Sequence, residues 1–363
     1  MKTALIYSEK IKKYDFGEGH PFRGDRFQVF MNFFKENFPQ EKFKIIEPEE
    51  VTNEEILLVH DKKYMETMKA ASEGITEYIY GYVSGDNLNP LTRKVPKGIE
   101  EGARVAVGTS VLAGELIAEG KFKKAIGIGG GLHHAKPSYG EGFCVYNDVA
   151  ICAENLKQKY NFKRILILDT DAHAGNGVKE FFYEDPSVLF VDLHQDPKTI
   201  YPGTGFASEI GAGEGEGFTL NLPLTPGAGD VAYQYLFEEA ISPLAKEFKP
   251  EIIIRYGGSD PYYLDGLTSL GLTLNGFRMI GEKVRELSSL CDGKAIDLLL
   301  SGYNIEILPY AWSALISGLL NLNVTLDLEE RNLPDENSGY KAIKEMVKEL
   351  KNNLKEYWRC FEK

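Results

Sequence analysis

The sequence predicts an open α/β fold with a mainly parallel sheet flanked by helices. Three observations carry that reading. Short, nearly continuous apolar runs recur along the chain, as expected of parallel strands buried on both faces. Amphipathic helical patterns alternate with them, strand then helix then strand. The residues just past the runs are glycine, histidine, aspartate and tyrosine, and in open α/β sheets ligands bind outside the carboxyl ends of the strands.

In chain order, the strand candidates are TALIYS (3–8), KAIGIGG (124–130), RILILD (164–169), VLFVDLH (188–194), GFTLNLPL (217–224), EIIIRYGG (251–258) and AIDLLLSG (295–302). The helical stretches between them repeat apolar residues at three- and four-residue spacing. They cover 53–72, 100–120, 146–160, 230–248 and 275–291. The tail GYKAIKEMVKELKNNLKEYWRC reads as a terminal amphipathic helix at about 338–360. With no internal repeat, low-complexity segment or linker, residues 1–363 read as a single domain.

Composition narrows the function classes. A hydrophobic content of 43% over 363 residues supports a sizeable core. The net charge of −13 argues against a nucleic-acid partner, which calls for a basic face. The opening MKTALIYSEK lacks the long apolar region of a signal peptide, and no apolar stretch reaches membrane-spanning length. A cytoplasmic location with no membrane partner is therefore expected. The four cysteines, Cys144, Cys152, Cys291 and Cys360, have no CxxC spacing, which speaks against disulfides and zinc thiolates.

The strand ends carry the chemistry. DTDAHAGNG (169–177) puts Asp169, Asp171 and His173 at alternate positions, and an extended chain would bring them to one face. A D-x-H pair taken alone is explained as well by turn and cap chemistry. With Asp260 of GGSDP it becomes a candidate metal triad, two carboxylates and an imidazole, suited to Zn(II) and hard enough for Fe(II). The tandem His133–His134 of GLHHA could supply a proton acceptor and donor, with Asp169 the natural carboxylate behind one of them. Tyr303 of SGYN could donate to a developing oxyanion, although the chain has 20 tyrosines and only its place at the last strand end singles it out. Gly142 and Phe143 of GFCVYND, with Tyr201 of YPGTG, could wall an apolar slot; core packing is the competing explanation. Metal, base and oxyanion donor together make a hydrolase for an unactivated amide.

The ordered set GLHHA, GFCVYND, DTDAHAGNG, YPGTG, GSDP and SGYN resembles the histone deacetylase family, including its acetoin-utilisation and acetylpolyamine amidohydrolase members. The likeness runs from GHPFR near residue 20 to AWSALISG near 318. The resemblance implies the arginase/deacetylase type of fold, with an eight-stranded, mainly parallel sheet. It implies Asp171, His173 and Asp260 as metal ligands and His134 as general base and acid. It implies His133 as an electrostatic partner backed by Asp169, Asn176 behind His134, and Tyr303 as the carbonyl-polarising group. Gly142, Phe143 and Tyr201 would line an acyl-lysine tunnel. Zinc, with Fe(II) as an alternative, and a structural potassium ion near the Asp169–His173 backbone are the implied cofactors. An acetylated lysine side chain or a small acetylated amine is the implied substrate.

Departures from the family pattern are also visible. Ala174 follows His173 where the family has a second histidine, Asn176 stands where many members carry Asp, and Leu299-Leu300-Ser301-Gly302 replaces a glycine run. Leu88 aligns with an acidic rim residue, with Asp86 nearby, and Asp192 stands where many members have Ser near the potassium site. Two other readings remain: a binuclear manganese ureohydrolase of the arginase type, for which Gly175 lacks the needed carboxylate, and a non-catalytic acyl-amine or partner binder.

Overall fold

The computed structural model describes residues 2–362. Eight strands form one parallel sheet: β1 (Thr3–Ile6), β2 (Phe43–Ile46), β3 (Lys124–Ile128), β4 (Ile165–Asp169), β5 (Val188–Gln195), β6 (Thr219–Leu224), β7 (Ile252–Tyr256) and β8 (Ala295–Leu299). Their order across the sheet is β2-β1-β3-β8-β7-β4-β5-β6, and every neighbouring pair runs parallel. The strand β3 is followed in the chain by β4, three places away, and β7 and β8 later fill the gap. The four central strands, β3, β8, β7 and β4, therefore end side by side although they come from four distant parts of the chain.

The helices are α1 (Arg26–Asn37), α2 (Asn53–Ile56), α3 (Lys62–Ser72), α4 (Ile99–Ala118), α5 (Asp148–Tyr160), α6 (Asn176–Phe182), α7 (Asp230–Leu236), α8 (Ser242–Phe248), α9 (Leu274–Ser288), α10 (Leu308–Leu320) and α11 (Tyr340–Leu354). Two buried apolar clusters form around the sheet, as expected for strands covered on both faces. The terminal helix α11 buries Ile343, Val347, Leu350 and Leu354, the apolar stripe of an amphipathic helix, and packs against β6.

The seven predicted strands are all present, and β2 is the addition. It pairs only with β1 at the sheet edge and buries only Phe43, so its sequence FKII carries no buried run. The helix predicted over 53–72 is two helices. A Thr52–Glu55 capping box starts α2, and the chain then turns to bury His60, whose ring contacts Lys136 O and accepts from Asn147 N. The stretch 230–248 is one helical run interrupted by a π turn at Phe237–Ile241. Pro243 follows that turn, and having no N–H it can give no hydrogen bond to the carbonyl one turn back. The helix α10 escaped prediction because it is apolar all round and hence buried, with no polar face to set a period.

Candidate active site

The loops at the ends of the four central strands meet at one place. After β3, the turn Gly129–Gly131 leads to His133 and His134. Two residues at the start of α5 hold this turn. The buried Asp148 carboxylate accepts from Gly131 N at 2.9 Å and Leu132 N at 2.6 Å. Asn147 caps α5 through Ala150 N and donates to Ala135 O at 3.0 Å. The segment GFCVYND thus carries, besides its wall residues, the clamp that fixes the histidine loop.

The carboxyl ends of β4 and β7 bring Asp171, His173 and Asp260 together, with ligand atoms all within 4.8 Å of one another. Nδ1 of His173 lies 3.1 Å from Asp171 Oδ1 and 3.2 Å from Asp260 Oδ2. Asp260 is completely buried, and its other oxygen accepts from the Ser301 hydroxyl at 2.7 Å. Burial and the neighbouring Asp171 carboxylate push the Asp260 carboxyl up. Burial opposes protonation of His173, but its hydrogen bonds to Asp171 and Asp260 overcome this and lift it to about 10. Two buried carboxylates beside one imidazole call for a positive charge, and the donor set fits a divalent cation of the zinc or iron(II) kind. Among the described residues it is the one cluster of three such side chains this close.

The tandem histidines differ in what stands behind them. His133 Nδ1 lies 2.9 Å from Asp169 Oδ2, which also accepts from the Tyr256 hydroxyl at 2.6 Å. Burial lowers the affinity of His133 for a proton, but Asp169 and Asp171 outweigh it and lift the imidazole to about 9. His134 Nδ1 lies 2.7 Å from Asn176 Oδ1. Burial, then the neighbouring His133 and His173, depress it well below the ordinary histidine value. One imidazole is held as a cation and its neighbour as a neutral base.

Comparison with known proteins agrees with this geometry. Residues 20–319 match the histone deacetylase domain. The chain is 34% identical to a probable deacetylase of Archaeoglobus fulgidus over 99% of this chain and 100% of that one. It is 36% identical to the acetoin utilization protein AcuC of Staphylococcus aureus, and to that of Staphylococcus xylosus, over 88% of this chain and 82% of each relative.

The chain belongs to the histone deacetylase family.

The remaining features of this histone deacetylase-family site can be read against that membership. Gly142 has φ +58, and a Cβ there would lie 2.2 Å from the His134 ring, so glycine is required for the loop to pass that ring. Phe143 sits edge-on to His20, ring centroids 4.5 Å apart, and 5.8 Å from Tyr303. The Tyr201 ring stands 5.1 Å from His134; Tyr201 is 41% exposed, and Phe143 is only partly buried. Tyr303 lies 6.4 Å from the His173 ring, centroid to centroid. Its backbone N donates to Asp265 Oδ2 at 2.7 Å. Burial and the Asp260 and Asp171 carboxylates hold its phenol far above the ordinary value, hence protonated.

The departures have structural accounts. Gly175 cannot give way to a larger residue, because a Cβ would lie 2.5 Å from the Tyr256 hydroxyl and 2.6 Å from Asp169 Oδ2; this disfavours a second metal site of the arginase kind. Ala174 is buried beside Gly205. The Leu300–Gly302 segment is held by the buried Arg26 guanidinium, which donates to Leu300 O at 3.2 Å and Gly302 O at 2.9 Å. Leu88 packs against the apolar core, whereas the Asp86 carboxylate accepts from Gly142 N at 2.9 Å. The acid that holds the Gly142 loop is Asp86, and the neighbouring Asn87 accepts from Phe143 N while Asn89 donates to Phe16 O. Asp192, opposite Asp169 in the ladder, bonds His194 Nδ1 at 2.8 Å and Gly175 N at 2.9 Å.

Sequence reasoning missed Arg26, Glu141, Tyr256, Asp265 and a role for Ser301. Arg26 comes from a helix more than 270 positions before the carbonyls it binds. Tyr256 was readable as the last side chain before the two glycines of the predicted strand 251–258, and it is in register with Asp169.

Proposed function

We propose that this chain is a metal-dependent amidohydrolase that removes the acetyl group from an acetylated lysine side chain or a small acetylated amine. The observation that carries the reading is the convergence of Asp171, His173 and Asp260 beside a buried neutral histidine, His134. Asp171 Oδ1, His173 Nδ1 and Asp260 Oδ2 are the donors for a Zn(II) or Fe(II) ion. Such an ion, when bound, supplies Lewis-acid polarisation of an amide carbonyl and acidification of water. His134 takes the water proton at Nε2, since its Nδ1 is committed to Asn176. It then returns that proton to the leaving amine. His133, backed by Asp169, contributes positive charge beside the developing oxyanion, and the protonated Tyr303 donates a hydrogen bond to it. Gly142, Phe143 and Tyr201 line the path of the acyl-amine. A potassium ion near the Asp169–His173 backbone belongs to the same proposal and rests on family resemblance. No helix among the described residues is long and apolar enough to cross a membrane.

The test uses metal-stripped protein reloaded with one equivalent of zinc or of iron(II). Turnover of an acetyl-lysine peptide and of N-acetylputrescine is measured, with Asp260→Ala as control. Hydrolysis of either substrate that is lost in Asp260→Ala supports the reading. Stoichiometric metal binding with no turnover of either would replace it with the non-catalytic binder.

A further inference from the structure

Asn176 is the partner of the general base, and an amide presents a difficulty that a carboxylate does not. Its side chain has an acceptor end and a donor end of nearly the same shape. If Oδ1 faces His134, the ring nitrogen Nδ1 must carry the proton, which leaves Nε2 free to act as a base. If the amide turns over, Nδ2 faces His134, Nδ1 must accept, and the proton sits on Nε2. The base is then occupied. A carboxylate at this position could only accept and would need no such control.

The structure contains a group that selects between the two orientations. The Glu141 carboxylate lies on the far side of the amide, and Asn176 Nδ2 donates to Glu141 Oε1 at 2.7 Å. A carboxylate only accepts, so the amide end that faces it is the nitrogen. Oδ1 is thereby turned toward His134, at 2.7 Å. Glu141 is itself held. Lys136 Nζ lies 3.3 Å from Oε1, and Cys144 N donates to the Glu141 carbonyl at 2.9 Å. The Tyr201 phenol also faces this carboxylate. Glu141 directly precedes Gly142, the residue that passes the His134 ring.

We propose that Glu141 is a positioning residue for the general base: it fixes the orientation of the Asn176 amide and, through it, the tautomer of His134. Glu141 does not touch the substrate path in this role; it acts through Asn176. The inference rests on the deacetylase reading for its kinetic consequence, but its structural consequence is independent of turnover.

The test is a double-substitution cycle between positions 141 and 176, with two readouts. In zinc-loaded protein, Glu141→Ala should lower kcat roughly ten-fold, the worth of one charge-assisted hydrogen bond, with KM within about two-fold of the parent. Glu141→Gln keeps an acceptor and should restore most of the loss. Asn176→Asp sets two carboxylates side by side and should also lower kcat; adding Glu141→Gln should then raise it again, so that the effects do not add. The second readout is the nitrogen-15 shift of the His134 ring in zinc-loaded protein at neutral pH, identified by its absence in His134→Gln. The parent should show the proton on Nδ1, and Glu141→Ala a shift toward the Nε2 form. An unchanged tautomer in Glu141→Ala, or additive effects around the cycle, would overturn the proposal. If no variant turns over either substrate, the deacetylase reading fails while the tautomer readout still decides this one.

Discussion

The strand-end floor of the site and the loop wall around it use the same residue type in opposite ways. The chain has six histidines. Three meet the floor: His133, His173 and His194 each have Nδ1 within hydrogen-bond reach of a carboxylate, from Asp169, Asp171 with Asp260, and Asp192. In each, burial works against the proton, yet the acid wins and the imidazole is raised. The other three, His20, His60 and His134, meet backbone groups or the Asn176 amide instead. In these, burial dominates and the imidazole is lowered. Burial is common to both sets. What differs is whether a strand end delivers an aspartate behind the ring. The floor gathers charge suited to a cation, and the wall keeps neutral imidazoles, one of which faces the chemistry.

This contrast assigns unequal roles to adjacent residues, and replacing each in turn is the strongest way to break it. His134→Ala removes the neutral base and should lower kcat by roughly 10²–10⁴ with metal content unchanged. His133→Ala removes a positive charge beside the reaction and should cost less. Steady-state kinetics on both variants decides the matter; a larger loss at His133 would reverse the assignment. Tyr303→Phe comes next. Burial and the floor carboxylates keep its phenol protonated, and removing the hydroxyl should cost about 10²–10³ in kcat. A two-fold loss would take Tyr303 out of the reaction.

How much of this the sequence disclosed follows from where each residue sits. Asp169, Asp171 and His173 were legible because they extend a buried apolar run at alternate positions, and Tyr303 because it directly follows the last one. The floor is written in local pattern. The wall is not. Asp86 and Glu141 lie in irregular segments whose conformation depends on contacts far along the chain, and Arg26 reaches the site from a helix outside the strand pattern. The strand β2 was missed for a related reason: at the sheet edge it buries one residue of four, too little to mark a run. The split of the 53–72 helix follows from a tertiary contact of His60 that no local period announces.

His60 gives the wall its own test, through pH. Its proton affinity is depressed by burial to about 4, against 6.5 for the free side chain. A histidine lowered on folding binds a proton more readily in the unfolded state, so its stabilising effect is whole above pH 6.5 and declines as the pH falls toward 4. At pH 5 the loss should be about 2 kcal/mol. His60→Gln keeps an acceptor for Asn147 N and has no proton to gain. Urea unfolding at pH 7.5 and pH 5 should show the parent losing about 2 kcal/mol more than the variant. Equal losses would mean that His60 is already protonated in the folded chain, and the wall would no longer be uniformly neutral.

The smallest effect sharpens the floor. Its carboxylates are not left to the cation alone; two are steadied by a hydroxyl, Tyr256 for Asp169 and Ser301 for Asp260. Ser301 donates to Asp260 Oδ1 and leaves Oδ2, the oxygen near His173, to face the metal position. A group that orients a ligand without touching the ion sets affinity by limiting the freedom the ligand must lose on binding. Losing such partners costs 10–100-fold in metal affinity in other sites. Ser301→Ala should fall toward the lower end of that range, because Asp260 also accepts from Ala172 N at 3.2 Å and keeps part of its orientation. Competition with a chelator of known zinc affinity gives the dissociation constant directly, without reference to turnover. An unchanged constant would show that the backbone contact suffices, and would place Ser301 in the packing of the Leu300–Gly302 segment, where its carbonyl accepts from the Trp312 indole at 3.2 Å.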